Sequence, residues 1–152
     1  MKRSTIAKIF TAAAVGALAL ALVPRAKALD FGCSNASLRG TFAYTVTGSF
    51  VAAPAPIGPS SEVGVQTFDG NGNTTANGMS NSSGKTNTAA ETGTYTVNPD
   101  CSGTFMLQVA PGITSHFFFV IANNGDVYQA VCLDSVGVFT RIGRRLFPGR
   151  EI

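Results

Sequence analysis

Between Leu38 and Phe50 the side chains alternate: Leu38, Phe42, Tyr44, Val46 and Phe50 fall in one phase, Arg39, Thr41, Thr45, Thr47 and Ser49 in the other. A period of two puts successive side chains on opposite faces of a β-strand, so this stretch predicts a strand with one buried side. No segment after Ala28 sustains the three-to-four-residue spacing of an amphipathic helix. Abundant Val, Phe, Tyr and Ile suit a pleated, half-buried surface, and together these features constrain the chain to an all-β fold.

Alternation resumes at Val63, Val65 and Thr67 after a proline-rich piece, Ala53 to Pro59, that reads as a loop because proline gives no ladder donor. Asp69-Gly70-Asn71-Gly72-Asn73 is a turn signal, since these residues tolerate positive φ. Residues 73–90 are dominated by Asn, Ser, Thr and Gly and fit a solvent-facing strand or a loop equally well. Further strands are expected at 93–97, 105–109, 116–121, 127–132 and 136–142, separated by Asn98–Gly103, Pro111-Gly112 and Asn123–Asp126. That makes about eight strands. Short turns make consecutive strands antiparallel neighbours, so the simplest arrangement is a single antiparallel up-and-down barrel, with a two-sheet β-sandwich as the alternative.

The N-terminus has the three parts of a secretory signal. Lys2, Arg3 and Lys8 precede an apolar run from Ile9 to Val23, followed by Ala26-Lys27-Ala28 as a small-x-small cleavage site. The run is short of the ~20 apolar residues that span a bilayer. Residues 1–28 are therefore expected to be a helical signal peptide, and residues 29–152 one small barrel-like domain, secreted or periplasmic. The signal holds five of the 11 basic residues and none of the 8 acidic ones, so the mature domain is slightly acidic. This argues against nucleic acid or an anionic membrane as partner. Arg141, Arg144, Arg145 and Arg150 read as a solvated strand end. The polar 73–90 region offers no lipid-facing band, so no membrane association is expected after cleavage.

Three segments, Ser37-Leu38-Arg39-Gly40-Thr41-Phe42, Thr67 to Asn73 and Gly93 to Cys101, resemble a group of short exported bacterial proteins without assigned function. The strand pattern is loosely similar to calycin-type and allene-oxide-cyclase-type barrels. That likeness implies an architecture and no activity.

Candidate sites are few. Asp69-x-Asn71-x-Asn73 opens like a calcium loop, but Thr74 and Ser80 stand where an EF-hand needs Gly and Glu, so no metal and no cofactor is expected. His116, the single histidine, has no acidic neighbour in sequence. Asp69, Asp100, Asp126 and Asp134 all fall at turns, where Asp bonds its own backbone. The N-glycosylation-like triplets at Asn35, Asn73 and Asn81 are expected by chance in so Asn- and Ser-rich a chain. No catalytic set emerges.

Three cysteines in an oxidising compartment imply one disulfide and one free thiol. In a meander every second turn lies at the same end, which pairs Cys33 with Cys101 and leaves Cys132 free at the opposite end. An interior lined by Phe42, Tyr44, Tyr95, Phe105 and Phe119 is expected either to pack solid or to admit one small apolar ligand. Gly40, Gly48, Gly64 and Gly93 inside strands would leave room for it. Large apolar groups in both phases of the last strands suggest a homo-oligomer through Phe118, Val120, Tyr128 and Phe139. The function expected is non-catalytic binding of a small apolar molecule or a protein partner. A barrel-type cyclase or isomerase, or a structural surface protein, is the alternative.

Overall fold

The structure, a computed structural model, describes residues 31–53 and 55–147. The signal segment and Arg150 lie outside the described residues. Eight strands form a closed antiparallel barrel in sequence order: β1 (Gly40–Phe50), β2 (Gly58–Phe68), β3 (Asn73–Ser82), β4 (Lys85–Val97), β5 (Ser102–Ala110), β6 (Ile113–Ala122), β7 (Val127–Cys132) and β8 (Gly137–Arg145). Closure runs through β1 and β8, from Phe42 opposite Arg145 to Phe50 opposite Gly137. It removes the unpaired edges that an open sheet would expose.

The ambiguous stretch 73–90 is a hairpin, β3 against β4. Ser82 pairs with Lys85, and the two residues between them, Ser83 (φ 51°) and Gly84 (φ 86°), are both left-handed. Such a two-residue turn matches the twist of the strands it joins. Asn81 Oδ1 accepts the Gly84 N–H at 3.0 Å and fixes it. The loop expected at Ala53–Pro59 is shorter than read: Gly58 and Pro59 already belong to β2, with Pro59 opposite Ser49 and its side chain exposed.

Phase decides what each strand buries. In β1 the inward residues are Phe42, Tyr44 and Val46, as the alternation predicts. On the outside, Thr41 meets Thr67 and Thr47 meets Thr140, each hydroxyl pair 3.2 Å apart, the cross-strand polar pairing that an exposed sheet face favours. In β2 the pattern inverts, because Val63 and Val65 point outward while Glu62, Gly64, Gln66 and Phe68 point in.

Two apolar clusters fill the barrel at different depths. The larger, around Phe42, Phe68, Tyr95, Phe105, Phe119 and Tyr128, occupies the end where the chain enters. Leu38, in a short 3-10 turn (Asn35–Leu38), plugs that end and is fully buried. Asn35 fastens the turn, its Oδ1 accepting the Val97 N–H at 2.8 Å and its carbonyl the Tyr95 hydroxyl at 3.0 Å. The disulfide Cys33–Cys101, with Cα atoms 5.1 Å apart, ties the entering chain to the β4–β5 turn. Cys132 is a free thiol at the other end. The smaller cluster there joins Tyr44, Val46, Ala76 and Phe139, with Phe50 packed edge-on against Phe139 at 4.9 Å.

The interior glycines make this packing possible. A Cβ at Gly143 would lie 2.0 Å from the Tyr128 ring and one at Gly137 2.1 Å from Phe139. Gly143→Ala is therefore expected to lower stability by about 1–3 kcal/mol through overpacking, measured by urea unfolding. An unchanged midpoint would mean that Tyr128 is loosely held.

Candidate functional site

Between the two apolar clusters lies a polar layer that the alternation did not reveal. Arg141 projects inward from β8 with 1% of its surface exposed, and Glu91 projects inward from β4 with 5%. Arg141 Nη1 donates to Glu91 Oε2 at 3.0 Å, a buried ion pair across the barrel. The guanidinium lies over the Tyr44 ring, 3.8 Å from its centroid. Tyr44 in turn donates its hydroxyl to Glu62, the partly exposed member of the set. A second chain of bonds crosses the same layer. The Tyr128 hydroxyl donates to Gln66 Oε1 at 2.5 Å, and Gln66 Nε2 donates to Thr74 Oγ1 at 3.0 Å.

Burial governs the electrostatics. It raises the Glu91 carboxyl above the usual carboxylate range despite the opposing Arg141 charge. It raises the Tyr44 phenol, with the bond to Glu62 adding to the effect, and pushes Tyr128 up to about 12. Arg141 stays charged, since guanidinium does not lose its proton in proteins. Its Nε and Nη2, the two donors of the side-on fork, have no protein acceptor. Buried donors of this kind are commonly met by internal water.

The reading of Arg141 as part of a solvated strand end is thus corrected. Its position alternates with Thr140 and Ile142, which face out, so the backbone phase carries the charge inward regardless of its cost. Arg145 is also spent structurally: Nε meets Asp126 Oδ1 at 3.0 Å and Nη2 the Gly125 carbonyl at 2.8 Å. Arg144 is exposed.

All five residues expected to line a ligand space, Phe42, Tyr44, Tyr95, Phe105 and Phe119, point into the barrel and are buried. They pack against other side chains of the core, and Tyr95 and Phe105 also border a recess of about 280 Å³ shared with the exposed Met106, His116 and Leu133. Phe42 packs edge-on with Phe68 at 5.6 Å, Phe68 with Tyr95 at 5.0 Å, and Phe105 stacks with Phe119 at 5.7 Å. The glycines read as leaving room are occupied: Gly40 by the Arg145 guanidinium, Gly48 by Phe139, Gly64 by the Tyr44 hydroxyl and Gly93 by the Met106 carbonyl. The place of a missing side chain in a strand is here taken by a neighbouring side chain or by the backbone of the adjoining strand.

The outer face expected from Phe118, Val120, Tyr128 and Phe139 is also corrected. Phe118 and Val120 are outside and two-fifths exposed, but Tyr128 and Phe139 are inside at 0% and 9%. Tyr128 is opposite Ile121 and Gly143, and Phe139 opposite Gly48, so both follow the inward phase of their neighbours. The apolar outer residues next to Phe118 and Val120 are instead Val131, paired with Phe118, and Ile142, beyond Gln129.

His116 does have an acidic partner, supplied by the fold. Asp134, in the β7–β8 turn, accepts from the His116 backbone N–H and bonds its Nδ1, both at 2.8 Å. Although some burial opposes it, these bonds hold the Asp134 carboxyl below its ordinary value. Cys132 donates its thiol to the same carboxylate at 3.6 Å. Burial raises the thiol, and the group that faces the sulfur is a carboxylate. That disfavours the thiolate and a Cys–His nucleophile. Asp69 serves its turn as expected, its carboxylate lowered to about 2 by bonds from the Asn73 side chain and from backbone N–H groups of Asn73 and Asn71. Among the described residues no group of His, Cys, Asp or Glu could hold a metal ion, and no helix is long and apolar enough to cross a membrane.

A larger recess lies at the disulfide end, a cleft of about 530 Å³ between the entering chain and the β6–β7 turn. Ile121, Ala122 and the disulfide form its apolar part, and Phe31, 66% exposed, stands in its wall. Ser37, Asp100, Asn123 and Asn124 supply polar groups. Asn123, Asn124 and Gly125 are successively left-handed, with φ of 52°, 55° and 93°. Sequence reasoning saw this segment only as a turn. Nothing marked it as the wall of a cleft, whose other wall includes Phe31, its N–H meeting the Pro99 carbonyl at 2.9 Å.

No family model, no curated protein and no solved structure matches the chain.

Proposed function

We propose that this is an exported, non-catalytic binding protein whose barrel interior is scaffold and whose ligand, a small amphipathic molecule, is taken at the cleft beside the disulfide. The observation that carries the reading is the contrast between the two spaces. The interior is filled by the protein's own aromatic and charged side chains, whereas the cleft has the size of a small-molecule site and combines an apolar floor with a few polar groups. The acid, arginine and tyrosines of the polar layer would be the natural catalytic set. With Arg141 and Glu91 almost wholly buried, no substrate reaches them without opening the barrel, and this favours binding over catalysis. Export is supported by the signal-like N-terminus and by a disulfide of the kind that persists in oxidising compartments.

Native mass spectrometry of protein purified from its own host is the test. A retained small molecule, lost when Asn124 is replaced by a bulky residue, is expected. Protein without any retained or exchangeable ligand would oppose the reading. Intact mass should show Leu29 as the first residue, and a product keeping residues 1–28 would refute export with cleavage.

A second reading rests on the outer apolar residues Phe118, Val120, Val131 and Ile142, a patch suited to a second copy of the chain. Sedimentation is expected to show self-association that Val131→Lys abolishes. Monomer alone at tens of micromolar removes this reading.

A further inference from the structure

The cleft's chemistry narrows the ligand class, on the assumption that the cleft is the binding site. Among the described residues, Asp100 is the one charged residue in its lining. Hydrogen bonds from the Ser102 hydroxyl and N–H, at 2.6 and 3.0 Å, both go to Oδ1 and hold the carboxyl below its usual value. The carboxylate is therefore ionised at neutral pH on an exposed residue. Phe31, bonded to the adjacent Pro99, puts an exposed aromatic ring in the same wall. Among the described residues, Arg145 is a cation bonded to the lining. It donates to the Ser37 and Gly125 carbonyls and is paired with Asp126, which offsets its charge.

We propose that the cleft binds a small organic ammonium cation with an apolar or aromatic body. The positive head would sit between the Asp100 carboxylate and the Phe31 ring, and the body would lie over the disulfide and Ile121. A carboxylate beside an exposed ring attracts such a head twice, by charge and by the ring's negative face, an attraction best suited to weakly hydrated quaternary ammonium groups. The apolar floor contributes in proportion to the area it covers and does not distinguish head groups. Charge therefore decides between ligands of equal shape.

The test is an amide chemical-shift titration of the exported protein with three probes of one size: benzyltrimethylammonium, benzyl alcohol and benzenesulfonate. Benzyltrimethylammonium is expected to shift the amides of Cys101 and Ala122 to Gly125 saturably, and to bind about fivefold tighter than benzyl alcohol, the worth of about 1 kcal/mol. Benzenesulfonate should bind weakest. Asp100→Asn should erase the advantage of the cation while leaving benzyl alcohol unchanged, a result that unfolding could not mimic. If benzyl alcohol or benzenesulfonate binds at these amides as tightly as the cation, the ligand class is overturned and the cleft stands. If none of the three shifts these amides, the cleft itself is overturned and the class with it.

Discussion

Arg141→Met is expected to destabilise the barrel by about 3–5 kcal/mol, because it leaves the Glu91 carboxylate buried without its partner. The double variant Arg141→Met, Glu91→Leu should recover most of that loss. A buried ion pair is worth little more than well-packed apolar groups of like volume, and two arginine donors in this one already go unmet by protein. Glu91→Gln tests the same pair by pH. Burial raises the carboxyl in the folded state above its unfolded value, so its contribution to stability is fully present below the ordinary carboxylate range and is lost as pH rises through the folded value. The stability of wild type relative to Glu91→Gln should therefore fall as pH rises above the ordinary carboxylate range. Urea unfolding measures both effects, and a single Arg141→Met variant as stable as wild type would contradict the geometry.

Removing the disulfide with Cys33→Ser and Cys101→Ser is expected to cost about 4 kcal/mol. The bridge spans 68 residues of sequence, and the chain-entropy model gives this magnitude for a loop of that length. The loss should fall on unfolding midpoint rather than on architecture, because Leu38 remains buried and Asn35 still holds Tyr95 and Val97. Circular dichroism that keeps its β signal with a lowered midpoint fits. A loss below about 1 kcal/mol would mean that the entering chain is held by the Asn35 bonds alone.

What could be read from the sequence was what backbone period and turn chemistry dictate. Phe42, Tyr44 and Val46 share a phase with no competing signal, and Asp69-Gly70-Asn71 reads as a turn once Thr74 and Ser80 exclude a calcium loop. The strand count fixed which turns lie at each end, so Cys33 and Cys101 met by parity. The phase of the late strands was hidden because both faces there carry large apolar groups. Gly-x-Phe-x-Arg-x-Gly from Gly137 to Gly143 was the available signal, the small residues marking the inward phase that Phe139 and Arg141 share. In β2 the signal pointed the wrong way, since Val63 and Val65 look like core and Glu62 and Gln66 like surface. Burying such groups becomes affordable only when partners from distant strands meet them, as Glu91 does for Arg141, 50 residues away. The hairpin at 73–90 has Met79 as its one large apolar side chain, so its strands are set by pairing with β2 and with each other rather than by their own pattern. The cleft was unreadable for a similar reason, being formed by three segments that the disulfide and the turns bring together.

The claim on which all of this depends is that the barrel is filled by its own side chains and binds nothing inside. A crystal structure of the protein purified from its own host, at a resolution that shows ordered water, tests it most directly. Arg141 is expected in contact with Glu91 and stacked on Tyr44, with water as the sole visitor at Nε and Nη2. Organic density lying between Arg141 and the Tyr44 or Tyr128 ring, with Arg141 drawn away from Glu91, would contradict it.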